Sequence, residues 1–400
     1  MGKKIVVIGA GAASMAFMTK LRSFDAKSEI ICFSAESYFP YNRCLLADYL
    51  NEAVTLQQIY LKSEIFFKES AIDLRIGVAV TSIDRLNKKV ITGVESFDYD
   101  YLFLGMGSRS VFSSLSLSDF VKERVFSFHT LADAERLLLF IKNQKPQKMV
   151  VIGAGLNGIE AAAALRVHGI EILLVDRASQ ILSTQVDQEV ALFVEKILCD
   201  HGVAVLLNHF LLEITEKSNQ KIVLHFDKNL ELEVDGIVFA IGSKVNNTLI
   251  ADTKIDTLNN SILVDAAMKT SDDSIYAGGD ICMVPDIITQ QRVQSLTWSD
   301  AMLQGLCAAT QLSSQPRSYP GAIGLRNSSW FGYDFYACAM TKLENDDNDY
   351  QIEVDIQSKS LRKCYIKDGI LKGFVLIGDC SALSFYKQWY MTQKKDLDKC

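Results

Sequence analysis

Two glycine-rich hexapeptides are the residues of this chain whose types and spacing most directly suggest chemistry. They read Gly9-Ala10-Gly11-Ala12-Ala13-Ser14 and Gly153-Ala154-Gly155-Leu156-Asn157-Gly158. In such a turn the first glycine permits a tight bend, the second lets backbone approach a pyrophosphate, and the third lets a helix pack against a strand. The free N–H groups of the following helix then face the phosphates. The chain is therefore predicted to bind two dinucleotides, with Ser14 standing where the first copy should have its third glycine.

An acidic residue about 20 positions beyond such a turn hydrogen-bonds the adenosine ribose. Asp176 fills this position in the second copy, since it follows Gly158 by 18 residues. A carboxylate there favours NADH and repels the 2′-phosphate of NADPH, although the adjacent Arg177 would attract that phosphate. In the first copy Ser34 stands at the expected position. We predict that Glu36, two residues later, is the ribose ligand; the alternative is a solvated loop glutamate.

The strands and helices that must position these turns are visible in the hydrophobic pattern. Continuous apolar runs at residues 4–8 and 149–152 precede the turns, as is typical of central strands in a parallel sheet covered on both faces. Each turn leads into a helical stretch and then into another apolar run, at 29–33 and 170–175. This order predicts an α/β protein with two Rossmann-like nucleotide-binding domains. Alternating strands near the end of the chain predict a C-terminal α+β domain.

Composition and charge narrow the classes of function. The 400 residues are 49% hydrophobic and 22% charged, as in a soluble globular protein, and the net charge of −7 argues against nucleic acid as a partner. No apolar run is long enough to span a bilayer, so membrane insertion is not expected. Nine scattered cysteines without a CxxC pair indicate neither a metal site nor a disulfide framework. They favour a reducing compartment, and we expect a cytoplasmic protein.

Together these motifs resemble the FAD-dependent pyridine nucleotide-disulfide oxidoreductase superfamily. The most similar branch holds rubredoxin and ferredoxin reductases, nitrite reductase flavin subunits, NADH oxidases and peroxidases, and coenzyme A-disulfide reductases. Residues 274–280 are similar to the family's second FAD motif, which implies that Asp280 holds the ribityl chain. Residues 101–108 and 240–242 are similar to the strands at which such chains cross between domains. The resemblance implies FAD at the first turn and NADH, in preference to NADPH, at the second.

The expected cofactor contacts lie in both turns, after their second strands, at the two crossing strands and beside the flavin. For FAD they are Gly9, Gly11, Ala12, Ala13, Ser14, Glu36, Arg43, Asp280 and Trp298. For the nicotinamide nucleotide they are Gly153, Gly155, Leu156, Asn157, Gly158, Asp176 and Arg177, and the crossing strands add Gly107 and Gly242. The expected domains are a discontinuous FAD-binding domain at 1–110 and 242–314, an NAD(H)-binding domain at 111–241, and a dimerisation or interface domain at 315–400.

Two acidic side chains are expected near the reacting rings. Glu160, early in the second helix, resembles the family's carboxylate beside the nicotinamide amide. Its alternative role is that of an acid favoured by the helix dipole. Asp48 occupies a position where similar ferredoxin reductases carry lysine. Two neighbouring acids repel, so we predict that one of them has a raised pKa.

The electron acceptor depends on Cys44. This residue stands where NADH oxidases, peroxidases and coenzyme A-disulfide reductases carry a redox cysteine, and a helix start would favour its thiolate. Other positions of the motifs, including Arg43, Leu156 and Trp298, instead resemble the electron-transfer branches of the family. In those branches Cys44 would be a packing residue. We therefore predict an enzyme that passes hydride from NADH to FAD and electrons to a small redox protein or small acceptor. The alternatives are a Cys44-dependent oxidase, peroxidase or disulfide reductase, and a non-catalytic flavoprotein. A homodimer is also expected.

Overall fold

The structure is a computed structural model that describes residues 2–93, 95–111, 118–217, 221–339, 341 and 350–394. The chain forms two compact units. The first comprises Met1–Cys44, Leu56–Arg109 and Lys244–Gly324, and the second comprises Leu45–Thr55, Ser110–Ser243 and Leu325–Cys400. The residues predicted as NAD(H)-binding and C-terminal domains therefore fall mostly in one unit. The division into three domains stays a prediction.

The helices of the described residues include several short ones. They are α1 (Ala12–Arg22), α2 (Leu46–Leu50), α3 (Leu56–Ile59), α4 (Glu64–Glu69), α5 (Asp119–Lys122), α6 (Leu131–Gln144), α7 (Leu156–Val167), α8 (Gln188–Asp200), α9 (Trp298–Thr310) and α10 (Leu383–Thr392), with 3₁₀ turns at Arg43–Leu45 and Asp227–Asn229. None of these helices is long and apolar enough to cross a membrane.

The strands are mostly three to eight residues long. In chain order they are β1 (Lys4–Ile8), β2 (Glu29–Ser34), β3 (Ile72–Ile76), β4 (Ser82–Asp84), β5 (Lys89–Thr92), β6 (Glu95–Asp98), β7 (Tyr101–Leu104), β8 (Ser108–Ser110), β9 (Val125–Ser127), β10 (Lys148–Ile152), β11 (Glu171–Val175), β12 (Val203–Leu206), β13 (Leu211–Lys217), β14 (Lys221–Phe226), β15 (Glu231–Val234), β16 (Gly236–Phe239), β17 (Ser243–Val245), β18 (Thr257–Leu258), β19 (Ser261–Leu263), β20 (Ile275–Ala277), β21 (Cys282–Pro285), β22 (Arg292–Gln294), β23 (Leu325–Trp330), β24 (Tyr333–Ala339), β25 (Gln351–Ile356), β26 (Leu361–Lys367) and β27 (Ile370–Ile377).

The first unit is built on a parallel sheet with the order β20-β7-β1-β2-β3. Its central strand β1 is an unbroken apolar run after Lys4, and every residue of that run is buried. Because β1 lies between β7 and β2, the sheet is extended in opposite directions from it. The glycine turn that follows β1 therefore lies at a topological switch point, where open α/β sheets bind ligands.

The second unit repeats this arrangement. Its parallel sheet has the order β12-β11-β10-β16-β9, with β10 between β11 and β16. The second glycine turn follows β10 and thus lies at the corresponding switch point. These two sheets confirm the prediction of two Rossmann-like α/β folds in one chain.

The second unit also contains the predicted α+β segment. Five antiparallel strands follow the order β23-β24-β27-β26-β25, and α10 comes after them in the chain. Strands β26 and β27 form a hairpin whose turn residues, Asp368 and Gly369, have φ angles of 54° and 77°. Left-handed backbone at both turn positions is what an Asp-Gly hairpin turn requires.

Candidate functional site

The first glycine turn lies in the first unit, between β1 and α1. Gly9 has a φ of 90°, and a Cβ at this position would lie 2.3 Å from the carbonyl oxygen of Gly105. Only glycine therefore fits between the end of β1 and the end of β7. Gly11 differs, because its φ of −78° suits any residue and a Cβ there would meet nothing within 4 Å. The space in front of Gly11 is open for a ligand.

Ser14 replaces the third glycine of this turn, and the neighbouring strand compensates. Ser14 is buried, and a Cβ on Gly105 would lie 2.1 Å from the Ser14 hydroxyl. At this close contact the glycine therefore lies at the end of β7, and not on α1. A second close approach occurs at Gly305 of α9, where a Cβ would lie 2.0 Å from the carbonyl oxygen of Ala13. Helix α1 is packed closely on both sides, although Ser14 is not a glycine.

Glu36, the predicted ribose ligand in the first unit, lies just beyond β2 and is held by two side chains. The hydroxyl of Tyr41 donates a hydrogen bond of 2.7 Å to Glu36 Oε2, and Arg43 donates to Oε1 in an ion pair. The same acid therefore orients Arg43, which was predicted to contact FAD. Ser34, at the position where the acid was expected, is buried and donates 3.3 Å to the Glu36 carbonyl oxygen.

The second FAD motif brings Asp280 next to the predicted Gly107 position. The hydroxyl of Ser108 donates a hydrogen bond of 2.7 Å to Asp280 Oδ2. Gly107 has a φ of 62°, and a Cβ there would meet nothing within 4 Å. Trp298 is the first residue of α9 and packs against the buried core of this unit. Asp280, Gly107 and the first turn all belong to the first unit.

Cys44 lies in the 3₁₀ turn that precedes α2, as its predicted position at a helix start requires. Its side chain is exposed. The two interpretations of Cys44, as an inert packing residue and as a redox residue, both stay predictions. The cysteines at 32, 282, 307, 338 and 364 are buried, and Cys400 lies outside the described residues. The Cys44 backbone N–H donates a hydrogen bond of 3.0 Å to Asn42 Oδ1.

The second glycine turn lies in the second unit and is the regular copy. A Cβ on Gly153, whose φ is 106°, would lie 2.5 Å from the carbonyl oxygen of Ala240. A Cβ on Gly158 would lie 1.7 Å from the carbonyl oxygen of Gly153, so no other residue fits there without movement. At Gly155 the nearest atom to such a Cβ is Nε2 of Gln185, at 3.9 Å. The second glycine again has open space in front of it.

Asp176 follows β11 and is tied to the second turn by backbone hydrogen bonds. The N–H of Ala154 donates 2.6 Å to Asp176 Oδ2, and the N–H of Ala178 donates 2.8 Å to Oδ1. The carboxylate is therefore fixed by the turn itself. Arg177 beside it is exposed.

Glu160 lies on α7, two residues beyond Gly158. The hydroxyl of Ser328, on β23, donates a hydrogen bond of 2.6 Å to Glu160 Oε1. Removal from water, together with the negative charge of Asp48, raises the pKa of Glu160 to about 7, although the Ser328 hydrogen bond opposes this shift. Burial also raises the pKa of Asp48. The prediction that one of these two acids has a raised pKa is confirmed.

The remaining predicted residues lie beside the turns. Ala12 and Ala13 are buried at the start of α1, Leu156 and Asn157 begin α7, and Gly242 follows β16 with a φ of 103° and open space where a Cβ would stand. Ser108, Ser328 and Gly105 also contribute to the two sites but were not predicted from the sequence. The duplication carries a signal for Gly105, because Ala240 occupies the matching place after the equivalent strand.

The two turns fit dinucleotides by a further observation. Gly11 and Gly155 are the N-caps of α1 and α7, and neither helix has a side-chain cap. Among the described helices, α4, α5, α6, α8 and α9 are capped by serine, threonine or aspartate side chains, whereas α2 and α10, which follow no glycine turn, also lack a side-chain cap. The first N–H groups of α1 and α7 are therefore left for an anion, and the open second glycines give a pyrophosphate access to them.

Comparison with known proteins agrees with this geometry. The sequence profile of the family described as pyridine nucleotide-disulphide oxidoreductase matches residues 3–305. The chain is 28% identical over 375 residues to the 3-phenylpropionate/cinnamic acid dioxygenase ferredoxin–NAD(+) reductase component of Photorhabdus laumondii, covering 93% of this chain and 92% of that one.

Two further similarities bear on function and on fold. The chain is 28% identical over 325 residues to an NADH oxidase of Methanocaldococcus jannaschii, covering 79% of this chain and 72% of that one. The crystal structure of a covalent putidaredoxin reductase–putidaredoxin complex matches with a TM-score of 0.88 at 21% identity, covering 98% of this chain and 94% of the matched chain. The chain belongs to the pyridine nucleotide-disulphide oxidoreductase family and is an FAD-dependent NAD(P)H oxidoreductase.

Proposed function

We propose that this enzyme oxidises NADH and delivers the electrons, one at a time, to a small redox protein. The balance is NADH plus two oxidised one-electron carriers giving NAD⁺, a proton and two reduced carriers. The observation that carries the proposal is the pair of uncapped glycine turns in one chain, one in each unit. The ferredoxin–NAD(+) reductase relative, which matches over nearly the full length of both chains, supports this choice of acceptor.

The side chains of the first unit would hold FAD. The open face of Gly11 and the N-terminus of α1 would receive the pyrophosphate, Glu36 the adenosine ribose, and Asp280 the ribityl chain. Ser108 and Arg43 fix these acids before any ligand arrives. Bound FAD supplies the hydride-accepting and one-electron chemistry that protein side chains lack.

The side chains of the second unit would hold NADH. Gly155 and the N-terminus of α7 would receive its pyrophosphate. Asp176 is already fixed by two backbone N–H groups, so it would accept from the ribose hydroxyls with little reorganisation. Its negative charge would repel a 2′-phosphate, which supports NADH over NADPH. Glu160 would lie at the nicotinamide end of the site.

The test is steady-state turnover of FAD-loaded enzyme with NADH and a panel of acceptors: a ferredoxin, a rubredoxin, ferricyanide, oxygen, hydrogen peroxide and coenzyme A disulfide. We expect saturable reduction of an iron–sulfur or rubredoxin carrier, with kcat/KM far above that for peroxide or disulfide. Turnover that is fastest with peroxide or with coenzyme A disulfide would contradict the carrier function.

A second candidate is a thiol-dependent NADH oxidase, peroxidase or disulfide reductase. It is favoured by the exposed position of Cys44 at the start of a helical segment and by the NADH oxidase relative. For peroxide the balance is NADH, a proton and H₂O₂ giving NAD⁺ and two waters. Cys44→Ser decides between the candidates. It should leave carrier reduction unchanged if the first is right and abolish peroxide or disulfide reduction if the second is.

We further propose that the enzyme is a cytoplasmic homodimer. The similarity of its C-terminal segment to interface domains of such enzymes supports a dimer, and its cysteines, which are scattered along the sequence without a CxxC pair, support a reducing compartment. Light scattering of the FAD-loaded enzyme should give about twice the 44.5 kDa chain mass. A monomer at micromolar concentration would contradict it.

A further inference from the structure

A hydroxyl group from the C-terminal sheet reaches Glu160, the acid just beyond the second glycine turn. Ser328 lies on β23, is only 6% exposed, and donates 2.6 Å to Glu160 Oε1. The two residues are 168 positions apart in sequence, yet both belong to the second unit. This hydrogen bond is the one that Glu160 makes among the residues that the structure describes.

The Glu160 carboxyl group needs such a partner. It is half-buried on α7, and Asp48, on α2, adds a like charge. Asp48 is the charged group that acts on Glu160 in the described part of the chain, and no cation compensates it there. Without a donor, a carboxylate in this setting takes up a proton or changes rotamer to reach water. The Ser328 hydroxyl stabilises the ionised form and fixes one oxygen.

We propose that Ser328 is a positioning residue for nicotinamide. By donating to Oε1, it holds Glu160 so that Oε2 accepts from the carboxamide N–H of the bound nucleotide. This inference rests on the proposed function, because it requires a nicotinamide nucleotide at the second turn. In this proposal Ser328 acts through Glu160, to which it donates its hydrogen bond, and not through the nucleotide itself.

The chain offers a matched control one residue away. Ser329 follows Ser328 on β23 and is exposed, since alternate residues of a strand point to opposite faces. Ser328→Ala and Ser329→Ala each remove one serine hydroxyl, the first from the buried face of the strand and the second from its exposed face. Ser328→Thr keeps a hydroxyl and a side chain that suits a strand, so it is the conservative variant.

The experiment measures equilibrium dissociation constants with the oxidised, FAD-loaded enzyme. The probes are 1,4,5,6-tetrahydro-NAD, which keeps the carboxamide but cannot give up hydride, and ADP-ribose, which lacks the nicotinamide ring. At pH 8, Ser328→Ala should raise the dissociation constant of tetrahydro-NAD about fivefold, because one hydrogen bond is worth about 1 kcal/mol. The dissociation constant of ADP-ribose should stay unchanged. Ser328→Thr should bind tetrahydro-NAD with a dissociation constant within about twofold of the wild-type value, and Ser329→Ala should bind it as wild type does.

A pH series gives a second readout that a purely structural role would not move. The affinity for tetrahydro-NAD should follow the ionisation of Glu160, and Ser328→Ala should move the midpoint upward by about one pH unit, because the donor that favours the charged form is gone. Equal losses for both probes, or no loss for either, would overturn the inference. A wild-type enzyme that binds neither probe would instead contradict the proposed function, and the inference with it.

Discussion

The two glycine turns solve the same packing problem with different residues. In the second unit the helix itself carries the glycine, because a Cβ on Gly158 would collide with the carbonyl oxygen of Gly153 at 1.7 Å. In the first unit the helix carries Ser14, and the neighbouring strand ends in Gly105, whose Cβ would lie 2.1 Å from the serine hydroxyl. The second unit has Ala240 in the place of Gly105. The small residue is required at the contact but not on a particular element.

The acids beyond the turns differ in the same manner. Asp176 is fixed by backbone N–H groups of its own turn and loop. Glu36 is fixed by the side chains of Tyr41 and Arg43, which come from the following segment. A backbone-fixed acid must stand at a set distance from the glycines, whereas an acid held by side chains can be displaced. This difference explains why the second copy follows the sequence pattern and the first departs from it.

The largest expected effect comes from breaking the regular copy. Gly158→Ala places a methyl group 1.7 Å from a backbone oxygen that cannot turn away. We expect the unfolding free energy to fall by about 3 kcal/mol or more, and nicotinamide nucleotide binding to be lost. Chemical denaturation followed by circular dichroism measures the first, and titration with ADP-ribose the second. An alanine variant that keeps wild-type stability would show that α7 or its turn can shift to admit a Cβ at this position.

The next effect separates packing glycines from ligand-facing ones. The φ of Gly11 is −78°, and a Cβ at this position would meet open space. The free energy of unfolding of FAD-free Gly11→Ala should therefore differ from that of wild type by less than about 0.5 kcal/mol. FAD should nevertheless bind about a hundredfold more weakly, because the methyl group occupies the space in front of the helix N-terminus. Gly155→Ala is the matched control, because it should weaken the binding of ADP-ribose and leave the binding of FAD unchanged. Unchanged FAD affinity in Gly11→Ala would place the pyrophosphate elsewhere.

Much of this arrangement could be predicted from sequence because it is local. A strand, its turn and its helix are contiguous, so their hydrophobic runs and glycines identify them, and Asp176 follows at a spacing set by one helix and one strand. Ser108 reaches Asp280 across 172 residues and Ser328 reaches Glu160 across 168. No periodicity links such pairs, because the fold alone brings them together. The interchange of glycine between α1 and β7 escaped prediction for the same reason.

A third prediction sharpens the comparison of the two acids. Asp176→Ala removes the ribose acceptor and the charge that opposes a 2′-phosphate, so KM for NADH should rise about tenfold and the preference for NADH over NADPH should fall further. Glu36→Ala is the counterpart in the first unit and should leave KM for both nucleotides unchanged. Steady-state kinetics with each nucleotide measures both variants. If Asp176→Ala keeps its preference for NADH, the discrimination does not come from this carboxylate.

The smallest expected effect is a dependence of stability on pH that originates near the second turn. Glu160 has a folded-state pKa of about 7 against an ordinary value of 4.5, so the folded state binds its proton more tightly than the unfolded state does. Stability from this group is therefore complete below about pH 4.5 and declines as pH rises toward 7. Because the side chain is only half-buried, we expect Glu160→Gln to be more stable than wild type by about 1–2 kcal/mol at pH 8 and equal to it near pH 4. Glu213→Gln, which alters an exposed carboxylate on β13, is the control and should show no such difference. Denaturation midpoints at both pH values measure the effect.

Equal stabilities of Glu160→Gln and wild type at pH 8 would mean that the acid is as well solvated as a surface carboxylate. Asp48→Asn should reproduce part of the gain, because Asp48 contributes less to the raised pKa than burial does.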